Sequence, residues 1–192
     1  MTYNTLIFSI SIFALCSWLL QRTRFCFALS LLVVLLCNLP LILSLSITQW
    51  LDSLCGNPSL FLALLSLGSL LSLPKAPLAL YFFPSSTPLR LNIKSKIFIF
   101  VFGFILFWGN INYLWGFDPF NAGFYTQILI ALAVVILGYF IQPYLGVLLL
   151  LSCVGYLIKG GNIFSFMCDA LVWLYALLSL LLAPFVRKDR AK

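Results

Sequence analysis

Apolar residues run along this chain in long blocks, and the polar positions between the blocks mark off the elements. A helix that crosses a bilayer needs about 20 apolar residues. Blocks of that order lie at 6–20, 25–50, 59–73, 97–115 and 162–185, with a longer one at 126–158. The pattern predicts an all-α fold, a polytopic transmembrane helical bundle. As one helix, 126–158 would extend about 50 Å against a hydrocarbon core of about 30 Å. Gln142-Pro143 offers a break within it, so it is read as two spans, 126–141 and 143–158. The count is then about seven spans in one integral membrane domain over 1–192. Pro74-Lys75-Ala76-Pro77 stops the third block. The apolar stretch 78–83 after it is too short to cross, which predicts an interfacial or re-entrant segment with Tyr81 at headgroup depth.

Composition narrows the class. The chain is 64% hydrophobic and 8% charged, whereas soluble domains carry about 25% charged residues. The longest hydrophilic stretch, 84–96, is too short to bury a core of its own. A net charge of +7 would suggest nucleic acid in a soluble protein, but here the charges form short clusters beside the apolar blocks. They read as topology determinants and contacts to anionic lipid, and nucleic-acid binding is excluded from the reading.

Those clusters orient the bundle. Arg22 and Arg24 follow the first block, Lys75, Arg90, Lys94 and Lys96 the third, and Arg187, Lys188, Arg190 and Lys192 the last. Basic loops stay cytoplasmic. The N-terminus is therefore expected outside, the C-terminus inside, and Asp52, Asp118 and Lys159 outside, with Lys159 the one basic residue out of place. The same parity requires the break at Gln142-Pro143. No basic residue precedes the first block, unlike a secretory signal peptide, so it reads as a retained span. Short loops and the absence of an Asn-x-Ser/Thr acceptor (proline blocks Asn57-Pro58-Ser59) favour a bacterial cytoplasmic, or inner, membrane.

Small residues let helices approach closely in a bilayer. Ser165, Asp169, Val172, Ala176, Ser179 and Ala183 form such a stripe in the last block. Ala63, Ser66, Ser69 and Ser72 form one in the third, and Ser30, Cys37 and Ser44 repeat every seven residues in the second. These are read as bundle interfaces.

Candidate chemistry is sparse. Asp169 stands on the small-residue stripe inside the last block, and an intramembrane acid is a functional-site hypothesis by default. It can bind a cation or carry a proton; the plainer reading is an acid near the outer interface hydrogen-bonded to Ser165 or a neighbouring helix. Asn38 beside Pro40, together with Asn110, Asn112 and Gln142, are the other polar groups at bilayer depth. They suit a ligand or ion site on a broken helix, or simple interhelical hydrogen bonds at a kink. Trp115, Asp118, Pro119 and Tyr125 belong to an aromatic-rich outer turn that serves as an interfacial anchor, an outer gate or a docking surface. The six cysteines contain no Cys-x-x-Cys pair and read as small packing residues. The chain has no histidine and four carboxylates, Asp52, Asp118, Asp169 and Asp189. No metal site or cofactor is expected, and a catalytic role is disfavoured.

Three functions remain open. The leading one is a non-catalytic accessory or assembly subunit of a membrane complex, with the lipid bilayer and other membrane proteins as partners. The second is a small permease with a site near Asp169 and Asn38, built as two three-span halves joined by a linker span. The third is an envelope enzyme acting at the outer face around Asp118.

Overall fold

The computed structural model describes residues 2–21, 23, 25–40, 44–73, 90–112 and 118–189, with side chains to 108 and to 182 in the last two segments. Within them the protein is mostly helical, in nine helices: α1 (Tyr3–Leu19), α2 (Cys26–Asn38), α3 (Ile47–Cys55), α4 (Leu60–Leu71), α5 (Ile93–Asn112), α6 (Phe124–Ile141), α7 (Pro143–Lys159), α8 (Ile163–Met167) and α9 (Ala170–Asp189). The expected interfacial segment 78–83, the basic residues 22, 24 and 75, and Trp115 lie outside the described residues. The chain divides into two compact units, Met1–Arg90 and Leu91–Lys192.

Capping chemistry sets the helix limits in the first unit. Thr2 accepts the Thr5 N–H to open α1, and Ser59 accepts the Leu62 N–H to open α4. The expected span over 25–50 is not one helix: α2 ends at Asn38 and α3 begins afresh at Ile47. Pro40 has no N–H to continue the ladder. Ser44 takes a left-handed backbone (φ 62°), which no helix tolerates. Ser46 and Gln49 then close a capping box, each side chain meeting the other's backbone N–H. Asp52, past the end of the predicted 25–50 block, is consequently a residue of α3, and Ser44 leaves the predicted stripe.

The three longer helices of this unit alternate in direction. Asn38 near the end of α2 meets Ser9 near the start of α1, and Phe27 near its start meets Phe13 further along, so α1 and α2 are antiparallel. Asn4 contacts Asn57 just before α4, and Ser11 contacts Ser66 within it, so α4 runs parallel to α1. Ile7, Phe8 and Ala14 of α1 are buried with Phe61, Leu62 and Ala63 of α4. Ser30 and Ser66 of the predicted stripes are buried as well.

In the second unit α6 and α7 form a hairpin joined by one residue. The chain breaks at Gln142-Pro143, as the sequence requires: Gln142 is extended and Pro143 occupies the first helical turn, where its missing N–H costs nothing. Gly138 and Gly146 face the partner helix, and at Gly146 a Cβ would lie 2.6 Å from Tyr139 Cα. Across the unit, α5 and α9 run antiparallel. Phe100 stacks on Trp173 with ring centroids 5.5 Å apart, and Lys96 Nζ lies 5.6 Å from the Tyr175 ring centroid.

The last block departs from expectation. It is two helices, α8 and α9, separated by Cys168 and Asp169, with Cys168 in extended conformation. Asp169 ends one helix and opens the next because its carboxylate takes a backbone N–H that a continuous helix would bond elsewhere. Asp169, Val172 and Ala176 of the predicted stripe are buried.

Among the described residues one helix, Phe124–Ile141, is long and apolar enough to cross a membrane, against the seven expected. Five shorter apolar helices accompany it: Tyr3–Leu19, Cys26–Asn38, Leu60–Leu71, Pro143–Lys159 and Ala170–Leu182.

Candidate functional site

The break after α2 creates the most polar site in the first unit. Asn38, in the last turn of α2, donates from Nδ2 to Ser9 Oγ and to the Val34 carbonyl, both at 2.9 Å. Its Oδ1 accepts from Thr48 Oγ1 at 3.1 Å, and Thr48 Oγ1 lies 3.0 Å from Ser46 Oγ. Three elements, α1, α2 and α3, are thereby tied through one amide. A turn further along α3, Asp52 Oδ1 accepts from Asn4 Nδ2 at 2.7 Å, and the same Nδ2 reaches Asn57 Oδ1 at 2.9 Å.

Beside this network lies a recess of about 640 Å³. Thr2, Thr5, Asn38, Ser46, Gln49 and Asp52 form its polar side. Val34 and Leu35, one turn down α2 from Asn38, form its apolar side. Among the described residues no lysine or arginine pairs with Asp52. Sequence reading singles out Asn38 but misses its partners Ser9 and Thr48, and the Ser46 and Gln49 that line the recess with it. The signal was present as Ser46-x-x-Gln49, a capping box that starts a new helix where a continuous span is assumed.

The remaining candidate residues lie in the second unit, at three places. Asp118 organises a turn: Oδ1 accepts the Phe120 N–H at 2.9 Å and Oδ2 accepts from Asn121 Nδ2 at 2.6 Å. The Phe120 carbonyl in turn accepts from Gln127 Nε2 at 2.8 Å and from Asn162 Nδ2 at 2.9 Å. Phe120 also meets Phe164 edge-on, at 5.8 Å between centroids. The turn is therefore fastened to the starts of α6 and α8. Pro119 is half-buried beside Asp118. Tyr125 is 86% exposed and packs edge-on against Phe124.

Gln142 works at the opposite end of α6. Its Oε1 accepts from the Asn92 N–H at 3.0 Å and from Ser95 Oγ at 2.7 Å, binding the α6–α7 joint to the start of α5. Asn92 is itself the cap of that helix, accepting the Ser95 N–H at 2.7 Å, so α5 begins four residues before the expected 97. Asn110 and Asn112 fall in the last turn of α5, with side chains outside the described set.

Asp169 is 7% exposed, and its Oδ1 accepts the Val172 N–H at 2.7 Å. The neighbouring Cys168 packs close to Gly103 of α5, where a Cβ would come within 3.2 Å of its Sγ. Trp173 fills the same contact, and its Nε1 donates to the Phe100 carbonyl at 3.1 Å. Asp169 thus stands in a packed helix junction, as an N-cap.

Among the described residues no three histidine, cysteine, aspartate or glutamate side chains gather where they could hold a metal ion. Asn38 and Asp52 share the recess of the first unit. Asp118, Gln142 and Asp169 each secure a different joint of the second. Comparison of the chain with protein-family models, curated proteins and solved structures finds no match.

Proposed function

We propose that this protein is a multi-pass integral membrane protein and a non-catalytic accessory or assembly subunit of a larger membrane complex. About seven helical rods, α1, α2, α4, α5, α6, α7 and the α8–α9 pair, cross the bilayer with the N-terminus outside and the C-terminus inside. The short loops and the absence of an Asn-x-Ser/Thr acceptor support a bacterial cytoplasmic membrane. Several rods are shorter than a full crossing; α2, at 13 residues, extends about 20 Å. Capped ends, the α3 segment and flanking residues complete the path. The hydrogen bonds agree with this parity. The start of α5 bonds to Gln142, and the Asp118 turn bonds to Asn162. These bonds gather the start of α5 with the α6–α7 joint at one end of the second unit and the Asp118 turn with the start of α8 at the other, which supports alternating crossings.

One observation carries the choice of subunit over permease or enzyme. The candidate polar side chains of the second unit hold the protein's own joints together: Asp169 caps Val172, Asp118 and Gln127 gather around Phe120, and Gln142 meets Asn92 and Ser95. The outward faces, by contrast, are large and apolar: Leu129 is 71% exposed, Phe140 81% and Ile158 85%. Such faces suit lipid and partner helices.

Photoreactive amino acids at positions 129, 140 and 158 in the native membrane test the reading. The expected result is cross-linking of at least one position to a single membrane polypeptide that also copurifies in fixed stoichiometry in mild detergent. Cross-links to lipid alone, from a purified protein that conducts a solute in proteoliposomes, would favour the permease instead.

A further inference from the structure

We infer that the recess of the first unit binds the ammonium-bearing headgroup of a membrane aminophospholipid. The inference rests on the membrane reading above, because it places this recess at the outer end of α1 and α2.

The charge of the site selects a cation. Asp52 is half-buried, its Oδ1 is held by Asn4, and among the described residues no basic side chain neutralises it. It also lies in the last turn of α3, where the helix contributes further negative partial charge. An ionised carboxylate so placed at a membrane surface is stabilised by an ammonium that donates to Oδ2.

The remaining lining fits the rest of such a headgroup. Gln49 Oε1 is engaged by the Ser46 N–H, which aligns its side-chain amide beside Asp52 on the same face of α3. Gln49 Nε2 is a neutral donor suited to a phosphodiester, and the exposed Thr2 hydroxyl, whose bond to Thr5 Oγ1 is long at 3.2 Å, can exchange that bond for one to the headgroup. The apolar wall then gives the shape of the ligand. Val34 and Leu35 continue from Asn38 down α2, and Leu35 is 59% exposed. A free polar amine would leave this wall uncovered, whereas the glycerol and first acyl carbons of a lipid cover it. Asn38, Thr48 and Ser46 keep the recess shaped without a ligand, since their hydrogen bonds to one another are already made.

Native mass spectrometry of the full-length protein in detergent tests this with four probes: phosphatidylethanolamine, phosphatidylcholine, phosphatidylglycerol and soluble glycerophosphoethanolamine. Phosphatidylethanolamine is expected to remain bound as one molecule under activation that strips the choline and glycerol lipids, because a trimethylated ammonium has no N–H to donate. Asp52→Asn should lower its affinity about tenfold, the loss of one charge-assisted hydrogen bond, and leave the other two lipids unchanged. Asparagine keeps the acceptor for Asn4, so the melting temperature of this variant should match the parent. Equal retention of all three lipids, or no effect of Asp52→Asn, would overturn the inference. Equal binding of glycerophosphoethanolamine would overturn its lipid component and assign the recess to a soluble amine. Failure of the membrane reading itself would show separately, as a protein extracted from membranes by salt or alkali without detergent.

Discussion

Replacing Gly146 with valine is expected to abolish the well-folded form of this protein more completely than any other single change in the second unit. A Cβ at this position would sit 2.6 Å from both Cα and Cβ of Tyr139 and 2.8 Å from its backbone N. Those are atoms of the facing helix itself, so no rotamer change relieves the contact; α6 and α7 would have to separate. Overpacking of a closed interface typically costs about 1–3 kcal/mol and more where backbone must move. The hairpin is joined by one residue and cannot slide to a new register without undoing Pro143 and the Gln142 bonds. Fluorescence-detected size-exclusion chromatography and a melting curve in detergent read the effect. Gly146→Val should give little monodisperse protein, and Gly146→Ala an intermediate loss. Gly123→Ala should be near neutral, because nothing lies within 4 Å of a Cβ there. A normal Gly146→Val protein would mean that α6 and α7 do not pack as described.

Asp169 separates a structural from a functional account by a pair of substitutions. Asp169→Leu removes the acceptor for the Val172 N–H in a junction where Val172 is fully buried. An exposed N-cap is worth about 0.5–2 kcal/mol, and an unsatisfied buried donor about 1–3. The loss is therefore expected toward the upper end and should appear as reduced folded protein. Asp169→Asn keeps a capping oxygen of equal rank and should leave both the melting temperature and any partner association close to the parent. The opposite pattern, normal folded amounts with partner association or transport abolished by Asp169→Asn, would give the carboxylate's charge a functional role and revive the permease.

The sequence displayed some of this and hid the rest for physical reasons. The break at Gln142-Pro143 was legible because two independent constraints converge on it, the length of the apolar block and the side of the last basic cluster. The buried stripe of Asp169, Val172 and Ala176 was legible because small-residue periodicity reports close helix contact directly. The break after Asn38 was legible only in part: Pro40 marked a kink or a broken helix, but hydropathy averages over a window and Leu39 to Leu45 are as apolar as the helix before them. Local capping ended the helix there: Pro40, the left-handed Ser44 and the Ser46–Gln49 box. The Cys168–Asp169 break was hidden in the same way. An aspartate on a helical stripe and an aspartate at an N-cap look alike in a periodicity plot, and only the partner of its carboxylate distinguishes them. The recess followed these misses, since it forms between α2 and a helix, α3, that the apolar blocks did not reveal.

The central claim, a chain threaded about seven times through a membrane with its basic clusters inside, is tested most directly by accessibility. In a background with all six cysteines replaced, single cysteines at Lys94 and Lys159 would be exposed to a membrane-impermeant maleimide in sealed cells and again after permeabilisation. The account predicts that position 159 labels in sealed cells and position 94 only once the membrane is opened. Labelling of position 94 in sealed cells would contradict it.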